Sequence, residues 1–344
     1  MATPSADPVE GVRHPSRILI FAALFAAGLF YVVHSYARWH RLIHILLRLS
    51  LTDIFLVVLL SLLLILFQGL ALGQIYRLLG RDRPPLYGVA MFLAMFTVNT
   101  VAPVAGLSGT AYLVVTEAKA GMPRPSGILL AILFYLTDYA VFLLVLAVGL
   151  IYLIYVGSLS RTILVSVSLL ASVLVVVAAV TVFLFSHPSA LRTLLHRTRR
   201  LTGRFLSEEQ VEDLGTQANL AWKQVTHAPH YLFTAAGWIV LTHLSGLLLM
   251  AVCFASFLVH ITLQRVLAGY LVGTLLYVVS VTPAGLGVAE GGMTAVFTGL
   301  GIPLEAAILV SLLYRSGVVL VPLLFGGPAI HQLPKLSGKA PEPV

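Results

Sequence analysis

Glu290 and Arg315 are opposite charges placed about one helix apart in stretches that are otherwise apolar. Just ahead of the acid runs Thr282-Pro-Ala-Gly-Leu-Gly-Val-Ala-Glu290. A guanidinium grips phosphate or carboxylate through paired N–H bonds. Pro283, Gly285 and Gly287 disfavour an unbroken helix, because proline lacks a donor and glycine loosens the backbone. A helix restarting after such a break offers free amides and a partial positive charge to an anion. Asp138 stands alone in another apolar stretch, and Asn99, Pro103, Gly106 and Ser108 interrupt a third. Ionisable residues at membrane depth are costly, which makes each a functional candidate. Together these residues suit recognition of a polar group rather than bond making. The competing reading of Glu290 and Arg315 is a structural ion pair locking two helices. His243, also in an apolar run, reads as a packing histidine.

Other chemistries find no residues to carry them. A membrane-embedded hydrolase would need metal-spaced histidines, paired carboxylates or a Ser-His-Asp set, and the apolar stretches hold none. Cys253 is the only cysteine, so a disulfide framework or thiolate metal site within one chain is excluded. No Gly-x-x-x-x-Gly-Lys-Ser/Thr loop for ATP occurs. The expectation is a non-enzyme with no catalytic residues, metal or cofactor.

The elements that must hold these residues are membrane spans. Of 344 residues 59% are hydrophobic and 10% charged, and mean hydropathy is +0.99. Runs of this length and polarity indicate transmembrane helices. The net charge of +8 sits in short segments between spans, which fits cytoplasmic loops and anionic headgroups better than nucleic acid. A polar tail at 1–16 precedes an uncleaved first span at 17–36, and 37–50 reads as an interfacial amphipathic helix. Further spans fall at 52–79, 126–156, 162–185, 231–258 and 304–325. Residues 86–118 form either one broken span or a re-entrant hairpin, and basic residues at both ends favour the hairpin. Residues 263–300 are broken at Pro283. The arginine-rich segment 187–228 is a cytoplasmic connector, with Ser207 and Gln210 as a capping box, and 331–344 is a tail.

An internal repeat organises the single domain at 17–330. Val101-Ala-Pro103 and Val281-Thr-Pro283 correspond at an offset of about 180 residues, and Gly121-Met-Pro123 then falls on Gly301-Ile-Pro303. Asp138 lies about one turn past Tyr135, the counterpart of Arg315. The repeats cover about 52–156 and 229–327, and three full spans between the breaks would turn the second upside down. The expected fold is an all-α integral membrane protein. It is a polytopic helical bundle with two inverted repeats, each containing a broken or re-entrant helical hairpin. Secondary transporters are commonly built so, with the binding site where broken helices meet.

The second unit, Thr282 to Glu290, then Gly301-Ile-Pro303, Ala307 and Leu313-Tyr-Arg315, resembles the closing signature of the lysylphosphatidylglycerol synthase membrane-domain family. That flippase-like family includes the membrane half of the multiple peptide resistance factor. Asn99 to Pro103 and Gly106 to Gly109 resemble its opening signature, and the likeness covers nearly the whole chain. The resemblance implies a lipid translocase. Many members carry Gly-Glu and an arginine just after the first break. Here residues 106–112 carry no charge, and Glu117 is the first. The synthase fusions continue into a soluble aminoacyl-transfer domain; the chain stops soon after its last span, so that activity is expected to be absent.

The expected function is movement of a phospholipid or other anionic or zwitterionic amphiphile between leaflets. Arg315, Glu290, Asp138, Asn99, Ser108 and the breaks at Pro103, Gly106, Pro283, Gly285 and Gly287 would line the path. The alternative is a lipid-binding accessory subunit without transport of its own. Membrane lipids, another copy of the chain and a separate lipid-modifying enzyme are the expected partners. The expected location is the cell membrane, with both termini cytoplasmic.

Overall fold

The computed structural model describes residues 49–102, 107–157, 161–187, 222–280 and 282–336, plus positions 189–190, 193–194, 215–216 and 220. The span expected at 17–36, the amphipathic helix up to residue 48, most of the connector with Ser207 and Gln210, and both Pro103 and Gly106 lie outside the described residues.

Every regular element among the described residues is helical. Helix α1 (Leu51–Leu78) starts at a capping box, in which the Ser50 hydroxyl accepts from the Asp53 amide and the Asp53 carboxylate accepts from the Ser50 amide. There follow α2 (Pro85–Val101), α3 (Leu107–Lys119), α4 (Arg124–Tyr155), α5 (Arg161–Ser186) and α6 (His230–Ser256). Then come α7 (Leu263–Val279), a 3-10 turn (Pro283–Gly285), α8 (Val288–Gly299) and α9 (Leu304–Arg315). A π turn (Ser316–Leu320) leads into α10 (Val321–Leu336). Five stretches are long and apolar enough to span a membrane: α1, α4, most of α5, α6, and α9 with α10. Helix α5 bares Leu169, Val173, Val176 and Phe183. Water would penalise that surface, whereas lipid tails accept it. The chain is a multi-pass membrane protein.

The last span runs on to Leu336, past the Phe325 end read from the sequence and through Pro328 and Pro334. Packing holds it there, because Ala329 and Leu333 are buried in the core around α1 and α2. Proline's penalty at those positions is outweighed by that burial.

Two helices are too short to span. Helices α3 and α8 have 13 and 12 residues, which at about 1.5 Å each cover well under the ~30 Å apolar thickness. Each doubles back on its predecessor. At one end of the first pair the Tyr87 hydroxyl, early in α2, donates to Glu117, late in α3. At its tip the Gly109 amide donates to Asn99 Oδ1 at 2.6 Å. In the second pair Gly269, early in α7, lies against Phe297, late in α8, and Gly273 lies against Met293. Helices α2 and α3 are therefore antiparallel arms of a hairpin and not one broken span, and α7 and α8 form another.

The hairpins open at opposite ends of the bundle. Helices α1 and α6 run antiparallel: Asp53 at the start of α1 meets Ser256 at the end of α6, and Phe67 stacks on Trp238 at 5.8 Å. The mouth of the first hairpin, at Glu117, is tied to Tyr76 near the end of α1. The mouth of the second, at Phe297, packs on Phe254 near the end of α6. Between them, α2 reaches the Pro283–Gly285 turn.

Both hairpins leave by the same local device. Gly121 and Gly301 take φ of 84° and 77°, left-handed values that glycine adopts without a steric penalty. The Met122 amide then donates to the Glu117 carbonyl and the Ile302 amide to the Phe297 carbonyl, at 2.9 and 3.0 Å. This six-to-one closure ends α3 and α8 alike. Pro123 and Pro303 follow as the caps of α4 and α9. The units then differ: α4 is continuous for 32 residues, while the second unit breaks into the π turn after Arg315.

Candidate functional site

The second break is built from its own polar groups. Ala284, Gly285 and Gly287 have φ of 48°, 68° and 83°, so the chain cannot remain helical through them. The Gly285 amide donates to the Thr282 carbonyl, and the Thr282 hydroxyl donates to the Leu286 carbonyl. Glu290, in the first turn of α8, turns back so that Oε2 accepts from the Gly287 amide at 2.6 Å. Its Oε1 accepts from Arg315 Nε at 2.9 Å. The Arg315 guanidinium also donates through Nη2 to the Ala284 carbonyl and lies 5.8 Å from the Tyr277 ring centre. Arg315 and Glu290 are therefore paired, with side chains 7% and 15% exposed. The amide expected to greet a substrate anion at Gly287 is already occupied by the protein's own carboxylate.

Arg315 forms part of the wall of a partly open cavity of about 210 Å³. Helix α4 forms another part of the wall, where Tyr135, Asp138, Tyr139 and Phe142 line the space. Those positions share one helical face. Asp138 accepts from Gln68 Nε2 of α1 at 2.8 Å. Helix α2 contributes Asn99, and α7 contributes Tyr270, Thr274 and Tyr277. His243 enters from α6, its Nδ1 2.6 Å from the Tyr270 hydroxyl and its buried Nε2 without a partner. Tyr314 completes the wall beside Arg315. Asp138, Asn99 and Arg315 thus meet around one space, and Glu290 acts on it through Arg315. Gly285, packed on Tyr277, and Gly287 shape the break behind. Ser108 spends its hydroxyl on the Ala102 carbonyl at the first hairpin's tip.

The electrostatic balance differs from a site for a bare anion. Arg315 is largely cancelled by Glu290, whereas Asp138 meets only the neutral Gln68 amide by hydrogen bond. Tyrosines make up half of the remaining polar lining, and Ser61, Asn99, Thr242, His243 and Thr274 supply the rest. Such a wall offers donors, acceptors and aromatic faces to a polar headgroup. Among the described residues no group of three or more His, Cys, Asp or Glu gathers as a metal site.

Sequence reasoning missed Gln68, the tyrosines and the cavity-facing role of His243. One signal was available: Tyr135, Asp138, Tyr139 and Phe142 follow a helical i, i+3, i+4, i+7 pattern. It missed a second buried cluster as well. Glu117 is fully buried at the first hairpin's mouth, accepting from the Tyr76 hydroxyl at 2.8 Å, the Tyr87 hydroxyl at 2.5 Å and Arg83 at 3.1 Å. This cluster fastens the hairpin and stands apart from the cavity lining.

The sequence model of a family described as the lysylphosphatidylglycerol synthase TM region matches residues 18–326. No curated protein matches the chain.

Proposed function

Because this chain belongs to the lysylphosphatidylglycerol synthase transmembrane-region family, we propose that it moves a phospholipid or other zwitterionic or anionic amphiphile between leaflets. The observation that carries this reading is the placing of the polar cavity. It lies in an apolar bundle, between two re-entrant hairpins whose mouths open at opposite ends. We read the two units as an inverted repeat. Rocking of one unit against the other would expose the cavity first to one leaflet and then to the other. A space of about 210 Å³ suits part of a headgroup, so the acyl tails would stay in lipid along the outer helices. In this reading the chain breaks no covalent bond. It resides in the cell membrane with both termini cytoplasmic, and a separate enzyme makes or uses the lipid.

The test is reconstitution in vesicles holding a fluorescent phospholipid, with a membrane-impermeant quencher added outside. Wild-type protein is expected to deliver inner-leaflet lipid to the quencher. Arg315→Ala should slow delivery by about tenfold or more, a barrier change of ~1.4 kcal/mol. Wild-type delivery no faster than that of empty vesicles would overturn the reading. The closed Arg315–Glu290 pair favours one alternative, a lipid-binding accessory subunit. Tight lipid co-purification without movement would support that instead.

A further inference from the structure

We propose that Asp138 is a proton-binding site, and that its protonation is coupled to movement of the cavity between the two membrane faces. The proposal rests on the translocase reading for its coupling, though not for the proton site itself.

Among the described residues three acids are held in the helical interior, and their partners differ. Glu117 has Arg83 and Glu290 has Arg315. Asp138 has no cation within ion-pair distance among the described residues. The groups facing it can be taken helix by helix. From α1 comes Gln68, which is neutral. Helix α2 presents Asn99, also neutral. Its own helix supplies Tyr135 and Tyr139, and α7 supplies Tyr270 and Tyr277. Helix α6 brings His243, and α9 brings Tyr314 and the already paired Arg315. The ionisable residues of α3 are Tyr112, Glu117 and Lys119, and the Glu117 carboxylate is engaged at the hairpin mouth. Helix α5 carries no ionisable residue after Arg161.

Counting Glu290 with its partner Arg315 and taking His243 as the neutral imidazole, the cavity wall carries a net negative charge when Asp138 is ionised. With Asp138 protonated, it is neutral. Turning a charged cavity through the bilayer is far costlier than turning a neutral one. The neighbour of Asp138 suits both states. Gln68 Nε2 donates to the carboxylate, while Gln68 Oε1 is buried without a partner. A protonated Asp138 would have one O–H to donate, and rotation of the Gln68 amide presents that acceptor. The balance is simple: a proton from water entering at one face joins an Asp138 oxygen, and returns to water at the other face.

Infrared difference spectroscopy of the purified whole protein, between mildly acidic and mildly alkaline pH, reads the site directly. The expected result is a carboxylic-acid carbonyl band that grows on acidification. It should be absent in Asp138→Asn, shifted but present in Asp138→Glu, and unchanged in Glu305→Gln. Vesicles carrying a fluorescent phospholipid and an internal pH dye read the coupling. Wild type should show lipid movement accompanied by proton movement, with the proton signal lost in Asp138→Asn. Absence of an Asp138-dependent band would overturn the proton site. Lipid movement that is indifferent to pH and unaltered in Asp138→Asn would overturn the coupling and leave the translocase reading standing. A band present without any lipid movement by wild type would overturn the coupling and the translocase reading, and uphold the proton site.

Discussion

At Arg315 one side chain holds three separated pieces of chain together. It ties α9 to α8 through Glu290 and to the broken segment through the Ala284 carbonyl. Removing one member of a buried pair strands the other charge, typically at about 3–5 kcal/mol. Arg315→Met and Glu290→Gln are each expected to lower thermal stability in detergent by an amount of that order, reduced where the cavity admits water. The double variant should recover most of the loss, as a melting series would show. Additive losses would mean that the pair is not coupled. The Glu117 cluster makes a parallel case. Tyr87→Phe removes a hydrogen bond to a buried charged group, for which about 1.5–3 kcal/mol is expected. Because that cluster fastens a hairpin and does not line the cavity, lipid affinity should hold while the melting temperature falls.

At the level of the helices, backbone conformation decides where each element stops. Ala284 sits at φ 48°, a left-handed value that costs a residue with a Cβ about 1–2 kcal/mol. Ala284→Gly should therefore stabilise the protein by up to about 1 kcal/mol, read from its unfolding midpoint. Gly301→Ala should act in the opposite direction by a similar amount, since φ there is 77°. Equal and neutral effects at both positions would show that these breaks are not set by local conformation. The breaks themselves were legible from Pro283, Gly285 and Gly287. The turns by which the chain leaves each hairpin were legible from the Gly-x-Pro spacing at Gly121 and Gly301. The continuation of α10 to Leu336 was not, because prolines argue against it and only burial of Ala329 and Leu333 outweighs them.

For the molecule as a whole, the decisive relation is that the hairpins open to opposite ends. Lys119 lies at the first mouth and is exposed, and Leu263 lies at the second and is 57% exposed. Cys253 is fully buried, so it should not compete for a thiol reagent. Lys119→Cys and Leu263→Cys are expected to react with a membrane-impermeant maleimide from opposite sides of oriented vesicles. Labelling of both from one side would remove the alternating arrangement on which translocation depends.

What the residues fixed in advance was the class of molecule and the location of its irregularities. Apolar runs of span length, the Pro and Gly breaks, and the rare charges at Asp138, Glu290 and Arg315 are each visible one position at a time. Which of those charges faces which could not be read that way. In a membrane bundle a lipid-facing side chain and a core-facing one are both apolar, so the pattern that marks the inner face of a soluble helix is faint. The pairing of Arg315 with Glu290, the isolation of Asp138 beside Gln68, and the entry of His243 and the tyrosines into one cavity follow from helix rotation and crossing. Those are set by packing between residues far apart in the chain, and so appear only once the helices are assembled.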